Sequence, residues 1–190
     1  MKRDIKKYFE KYKSDKYENG YCDVYNDLLE ERQDMDINLL EIGIGTLQPT
    51  HSNMLFWKNR FPQYQPGASL RAFRDFFPNG NIYGVDIQED CMIKEERIHT
   101  FLFDSKNKKM ANHYLGHIWF HYIVDDGDHS FRTQIETFEN FFRFLNFEGV
   151  YILEDLESPD FLIEYFKKQG HDFELRDRMI IIKKTKHNFD

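Results

Sequence analysis

Two acidic stretches follow apolar runs, Val124-Asp125-Asp126-Gly127-Asp128-His129 and Leu153-Glu154-Asp155-Leu156. Carboxylates that converge at neighbouring strand ends repel one another unless a cation or hydrogen-bond donors compensate them. Oxygen-only ligands suit Mg²⁺ or Mn²⁺, hard cations that keep positions open for water and substrate. Asp126 and Asp155 are therefore the candidate metal ligands, with Glu41 or Glu154 as a third. Asp128 and Ser130 have a plainer reading as caps of a helix starting near Phe131, and no Cys or His cluster offers a zinc site. His129 stands three residues after Asp126 across a glycine. An imidazole of pKa about 6.5 does not readily deprotonate an alcohol unaided, but a cation at that alcohol lowers the hydroxyl pKa by several units. Asp126 and His129 are thus the candidate catalytic pair, with His129 as general base. Its plainer reading is a loop histidine.

A second group of residues suits a nucleoside. Glu41-Ile42-Gly43-Ile44-Gly45 ends an apolar run, where glycines allow a sharp turn and close approach of a ligand. A tight turn alone would also explain Gly43 and Gly45. Gln48 stands where a dinucleotide fingerprint needs its third glycine, which disfavours a nicotinamide cofactor. Glu41 can meet the amino group of a methionine moiety. Asp86, closing Tyr83-Gly84-Val85-Asp86, can accept both ribose hydroxyls of an adenosine. Asp104 then falls near the adenine, and Asp125 joins the cofactor set. Together these groups point to S-adenosylmethionine. Methyl transfer from its sulfonium is an in-line displacement that needs mainly orientation and proton removal.

The elements that position these residues alternate between strand and helix patterns, as in a parallel sheet covered on both faces. Ile5, Tyr8, Phe9 and Tyr12 mark a first helix, and Ser14-Asp15-Lys16 reads as a loop. Tyr21, Val24, Tyr25, Leu28 and Leu29 mark a second helix, then a strand runs over 37–42. Residues 46–67 read as a long irregular segment broken by Pro49, Pro62 and Pro66. Leu70, Phe73 and Phe77 form a helix stopped by Pro78-Asn79-Gly80. Strands follow at 81–87, 98–103, 118–125 and 149–154, with helices at 105–115, from Phe131 to Leu145 and around Phe161 to Phe166. Residues 173–176 and 179–184 are too close for a crossover, so they form an antiparallel hairpin. The expected fold class is α/β, a Rossmann-like, mostly parallel sheet ending in that hairpin, over one domain at 1–190.

Composition agrees with a single filled core. The chain has 190 residues, 41% hydrophobic and 31% charged, which excludes a disordered chain. Its net charge of -7 argues against a nucleic-acid partner. The basic run Lys2, Arg3, Lys6, Lys7, Lys11, Lys13 and Lys16 reads as the solvated face of an amphipathic helix. No apolar run reaches membrane-spanning length, the start shows no signal-type core, and the two cysteines suggest no disulfide framework; the expected setting is cytoplasmic.

The ordered set Ser14-Asp15-Lys16, Leu39-Leu40-Glu41-Ile42-Gly43, Gly67-Ala68-Ser69-Leu70-Arg71 with Phe77-Pro78, Ile82 to Ile87, Asp125 to His129 and Glu154-Asp155-Leu156 resembles the metal-dependent sugar O-methyltransferases of the mycinamicin and macrocin type. The resemblance covers residues 14 to 156. It implies cofactor binding by the Glu41, Ser69 and Asp86 regions, a divalent metal on Asp126 and Asp155, and His129 as base. It also implies a sugar acceptor, as a small molecule or a glycan. Two departures stand out. Residues 46–67 are long for that group and suit a lid or substrate wall, with His51, Trp57, Arg60 and Tyr64 as sugar-facing residues. Only N-terminal helices, within 1–35, precede the core, which suits a module of a larger glycan-building protein. A catechol-like diol as acceptor and a non-catalytic cofactor-binding module are the rival readings.

Overall fold

The computed structural model describes residues 2–48 and 54–185. Its strands are β1 (Asn38–Ile42), β2 (Asn81–Asp86), β3 (Lys94–Glu95), β4 (Ile98–Leu102), β5 (Phe120–Asp125), β6 (Leu145–Leu153), β7 (Phe173–Arg176) and β8 (Met179–Lys183). They form one sheet in the order β3-β4-β2-β1-β5-β6-β8-β7. The run from β4 to β6 is parallel, while β8 pairs antiparallel with both β6 and β7. The expected terminal hairpin is present.

Alternation along the central strands explains why both faces are covered. Leu39, Tyr122 and Val124 point to one face, which is closed by α1 (Ile5–Tyr12), α3 (Cys22–Leu29) and α5 (Ala68–Phe76). Phe9 packs edge-on against Phe73 and Tyr25 there. Leu40, Ile123 and Tyr151 point to the other, closed by α6 (Lys108–Leu115), α7 (Phe131–Phe141) and α8 (Pro159–Lys168). Most of the aromatic excess of the composition lies in these two layers.

Register decides where the polar residues finish. Ile42 lies beside Val85 and Asp125, and Asp125 lies beside Leu153. The carboxyl ends of β2, β1, β5 and β6 therefore end level, and hydrogen bonds carry the alignment one residue further. Gly43 N–H donates to the Val85 carbonyl, Asp126 N–H to Ile42, and Glu154 N–H to Asp125, at 2.8–2.9 Å. Every acidic strand end singled out from the sequence is brought to this one edge.

Three expectations are corrected. Ser14-Asp15-Lys16 is not a loop, because Asp15–Glu18 forms a short helix, α2, after Ser14. Residues 46–67 are not irregular throughout, since Met54–Arg60 is a helix, α4. Pro62 lies after its end and so does not break it. Pro49 and His51 lie outside the described residues. β6 starts at Leu145, before Gly149, because its first residues pair with Phe120 across an irregularity in register. The short β3 had no sequence signal of its own. Among the described residues, no helix is long and apolar enough to cross a membrane.

Candidate active site

The level strand ends open into a cleft of about 650 Å³. Gly43, Gly45, Ser69, Asp86, Asp104, Asp126, His129 and Asp155 all line it, so most of the residues expected to act together do meet. Glu41 and Asp125 do not reach its wall. Both are buried just beneath it, where desolvation raises each carboxyl to about 7. Glu41 accepts from the Ser69 hydroxyl at 2.5 Å, and Asp125 from the Tyr151 hydroxyl at 3.2 Å.

Gly43 and Gly45 adopt φ values of +85° and +86°. The close approach they permit is by protein. A Cβ on Gly43 would lie 2.1 Å from the Asp126 carbonyl oxygen, and one on Gly45 would lie 2.2 Å from the Tyr64 hydroxyl. The Gly43 turn thus sets the distance between the β1 and β5 ends. Gly43→Ala combines a left-handed backbone with a backbone collision, and should destabilise the fold by more than about 1 kcal/mol. Urea denaturation checks this, and an unchanged midpoint would refute it.

Asp86 is nearly buried, and its carboxylate orders two loops. Its Oδ2 accepts from Ile44 N–H at 2.8 Å and its Oδ1 from Gln88 N–H at 2.9 Å. The carboxylate keeps further acceptor capacity for a ligand. Asp104 is exposed at the next strand end, where its Oδ1 accepts from Lys106 N–H at 2.9 Å.

On the other side of Gly43 the acidic groups converge. Among the described residues, Asp126, His129 and Asp155 place ligand atoms within 4.8 Å of one another. His129 Nε2 lies 3.5 Å from Asp126 Oδ1. The bond to Asp126 outweighs burial and raises the His129 pKa to about 9. Asp155, in a left-handed backbone conformation, accepts at Oδ1 from Tyr21 at 2.5 Å and Arg178 at 2.6 Å. Asp128 accepts from Ser130 N–H and the Thr133 hydroxyl, and Ser130 caps α7, so both have the cap role.

The largest departure from sequence reasoning is Lys16. Assigned to a solvated basic face, it is fully buried instead, with Nζ 2.7 Å from Asp126 Oδ2, 2.5 Å from Glu154 Oε2 and 3.2 Å from Glu41 Oε1. A buried lysine without partners loses its proton. Here burial pulls the pKa down, but Asp126, Glu154 and Glu41 outweigh it and hold the ammonium charged well above its ordinary range. Tyr25 also donates to Glu154 Oε1. For Asp126, burial would raise the carboxyl, yet Lys16 and His129 keep it below the usual value. Asp15, beside Lys16, lines the cleft, and burial followed by the Asp126 charge raises it to about 6. Sequence reasoning missed Tyr21, Tyr25 and Arg178 as partners of these carboxylates. The one signal toward Lys16 was its place in Ser14-Asp15-Lys16.

A parallel sheet in this order, ended by an antiparallel hairpin with the ligand groups on its carboxyl edge, is the class I methyltransferase fold. The chain aligns with the mycinamycin-pathway methyltransferase MycE, solved in complex with Mg and SAH, at TM-score 0.79 and 20% identity over 97% of this chain and 56% of that one. Its curated relatives are sugar O-methyltransferases. It is 27% identical over 139 residues to an 8-demethyl-8-alpha-L-rhamnosyl tetracenomycin-C 2'-O-methyltransferase of Streptomyces olivaceus, covering 73% of this chain and 33% of the relative. It is 29% identical over 133 residues to a demethylmacrocin O-methyltransferase of Streptomyces fradiae, covering 70% and 30%. The matched part thus spans about a third of the length of those relatives. No family model matches the sequence.

Proposed function

We propose that this chain is an S-adenosylmethionine-dependent O-methyltransferase that uses a divalent cation and His129 to methylate a sugar hydroxyl. The observation that carries the reading is the meeting of Asp126, His129 and Asp155 with Asp86 and the Gly43 turn around one cleft. Its carboxylates, Asp15, Asp86, Asp104, Asp126, Asp128, Asp155 and Glu157, outnumber the cationic Lys106 and His129 on its wall, which favours a cationic sulfonium and a metal ion. The donor set is oxygen-rich, as Mg²⁺ or Mn²⁺ requires. The relatives methylate sugars, which supports the acceptor class.

Bound S-adenosylmethionine supplies an electrophilic methyl group, and a divalent cation lowers the pKa of an acceptor hydroxyl. Asp86 would accept the ribose hydroxyls, Ser69 and the turn at 43–45 would flank the methionine end, and Asp104 would reach the adenine. Asp126 and Asp155 would hold the cation, with Tyr21 and Arg178 fixing the second carboxylate. His129 accepts the acceptor's proton. A carboxylate shared with a cation pulls less strongly on the imidazolium, so the His129 pKa falls from about 9 toward the range in which it works as a base. Thr46, Met54 and Tyr64, from the segment expected to wall the acceptor, line the cleft.

Calorimetry with S-adenosylhomocysteine, with and without Mg²⁺, is the primary test; absence of binding removes the proposal. Asp86→Ala should weaken binding by about 1–3 kcal/mol, the loss for charged hydrogen bonds. Methyl rhamnoside and catechol, offered as competing acceptors, distinguish a sugar site from a diol site.

A further inference from the structure

Lys16 has no part in the proposed methyl transfer, yet its buried ammonium pairs with three carboxylates. Its ammonium reaches two acidic loops at once, bridging Asp126 after β5 and Glu154 after β6. Asp126 offers Oδ2 to Lys16 and leaves Oδ1 to His129. Glu154 is taken up on both oxygens, by Lys16 at Oε2 and Tyr25 at Oε1. A divalent cation on Asp126 would thus share that carboxylate with an ammonium 2.7 Å from its other oxygen. Two cations on one carboxylate, in a site shielded from water, oppose each other strongly. Lys16 sits on the four-residue α2, which an exposed Arg60–Glu18 pair ties to the wall helix α4, while Trp57 of α4 bonds the Lys13 carbonyl just ahead of α2.

We propose that Lys16 is a built-in competitor of the divalent cation, holding Asp126 and Glu154 in its absence and yielding them when it binds. This rests on the cation reading of Asp126 and Asp155. The competition makes metal occupancy and the seating of residues 14–18 reciprocally linked, since whatever favours one disfavours the other. It also gives the cluster a compensated state without metal. Removing the ammonium alone would leave buried carboxylates facing one another.

The test is Mn²⁺ binding followed by electron paramagnetic resonance on the full chain, comparing the unsubstituted protein with Lys16→Gln and Lys16→Arg. The amide introduced by Lys16→Gln keeps an N–H donor near the carboxylates and removes the positive charge. Lys16→Gln should bind Mn²⁺ at least tenfold more tightly, and Lys16→Arg should stay near the parent. Unchanged or weaker binding by folded Lys16→Gln overturns the inference, since a purely structural lysine would affect stability and not favour the metal. If Lys16→Gln fails to fold, hydrogen exchange of the unsubstituted chain decides. Saturating Mg²⁺ should speed exchange of amides 14–18 severalfold, and unchanged or slower exchange overturns the inference. Equal Mn²⁺ affinity in parent and variant removes this inference alone, whereas no Mn²⁺ binding by either removes the cation reading and this inference with it.

Discussion

Replacing His129 with alanine is expected to lower turnover by roughly 10²- to 10⁴-fold, the usual contribution of a general base, with affinity for S-adenosylhomocysteine nearly intact. The expectation follows from position. His129 lines the cleft with its Nε2 3.5 Å from Asp126, on the loop before α7, while the proposed adenosine contacts at Asp86 and Asp104 lie on other strand ends. The proton state supplies a second readout. A base works only after losing its proton, so activity should rise with pH through the His129 pKa. Asp126 sets that value at about 9 without a cation, and a cation on Asp126 should bring it lower. The rising limb should therefore move to lower pH as Mg²⁺ increases, and vanish in His129→Ala. Rates within a few fold of the parent, with the limb retained, would return His129 to the status of a loop histidine. Initial rates of S-adenosylhomocysteine formation across pH measure both.

The other large effect is expected from the metal. Exhaustive chelation should abolish methyl transfer, and Mg²⁺ or Mn²⁺ should restore it. The loss should be on the order of 10³-fold or more, since a Lewis acid at a reacting oxygen contributes several kcal/mol. Asp126→Ala and Asp155→Ala should fail in the same way and resist rescue by added metal. Their folds should differ in tolerance. Asp155→Ala leaves Arg178 half-exposed and able to reach water. Asp126→Ala removes one of three carboxylates from a buried ammonium, so its stability should fall further. Full activity after chelation would assign these carboxylates to structure alone. Cofactor binding should largely survive both changes, which separates a metal defect from a collapsed cleft.

Local patterns carried much of this in advance. Continuous apolar runs placed Leu39, Leu40, Tyr122 and Ile123 in buried strands, as a sheet covered on both faces requires, and helical spacing placed Phe138 and Phe166 in covering helices. Acidic residues directly after such runs stood out as strand ends. The close spacing of 173–176 and 179–183 sufficed for a hairpin. Boundaries were less legible at β6, where Leu145 pairs with Phe120 before the register settles, and at α4, hidden among prolines.

The sequence by itself determined the alternation of elements, the edge at which the chemistry collects, and the identities of Asp86, Asp126, His129 and Asp155 as the residues to watch. Each of these depends on neighbours a few positions away. Only the tertiary structure decided which charges are compensated, and by what. Lys16 lies 110 residues from Asp126 and 138 from Glu154, and Tyr21 lies 134 from Asp155. Within its own segment Lys16 is one basic residue among several, and a lysine's ordinary place is in water. Its burial is tolerable because three carboxylates from three strand ends arrive together, a condition that sheet register creates and no stretch of chain encodes alone.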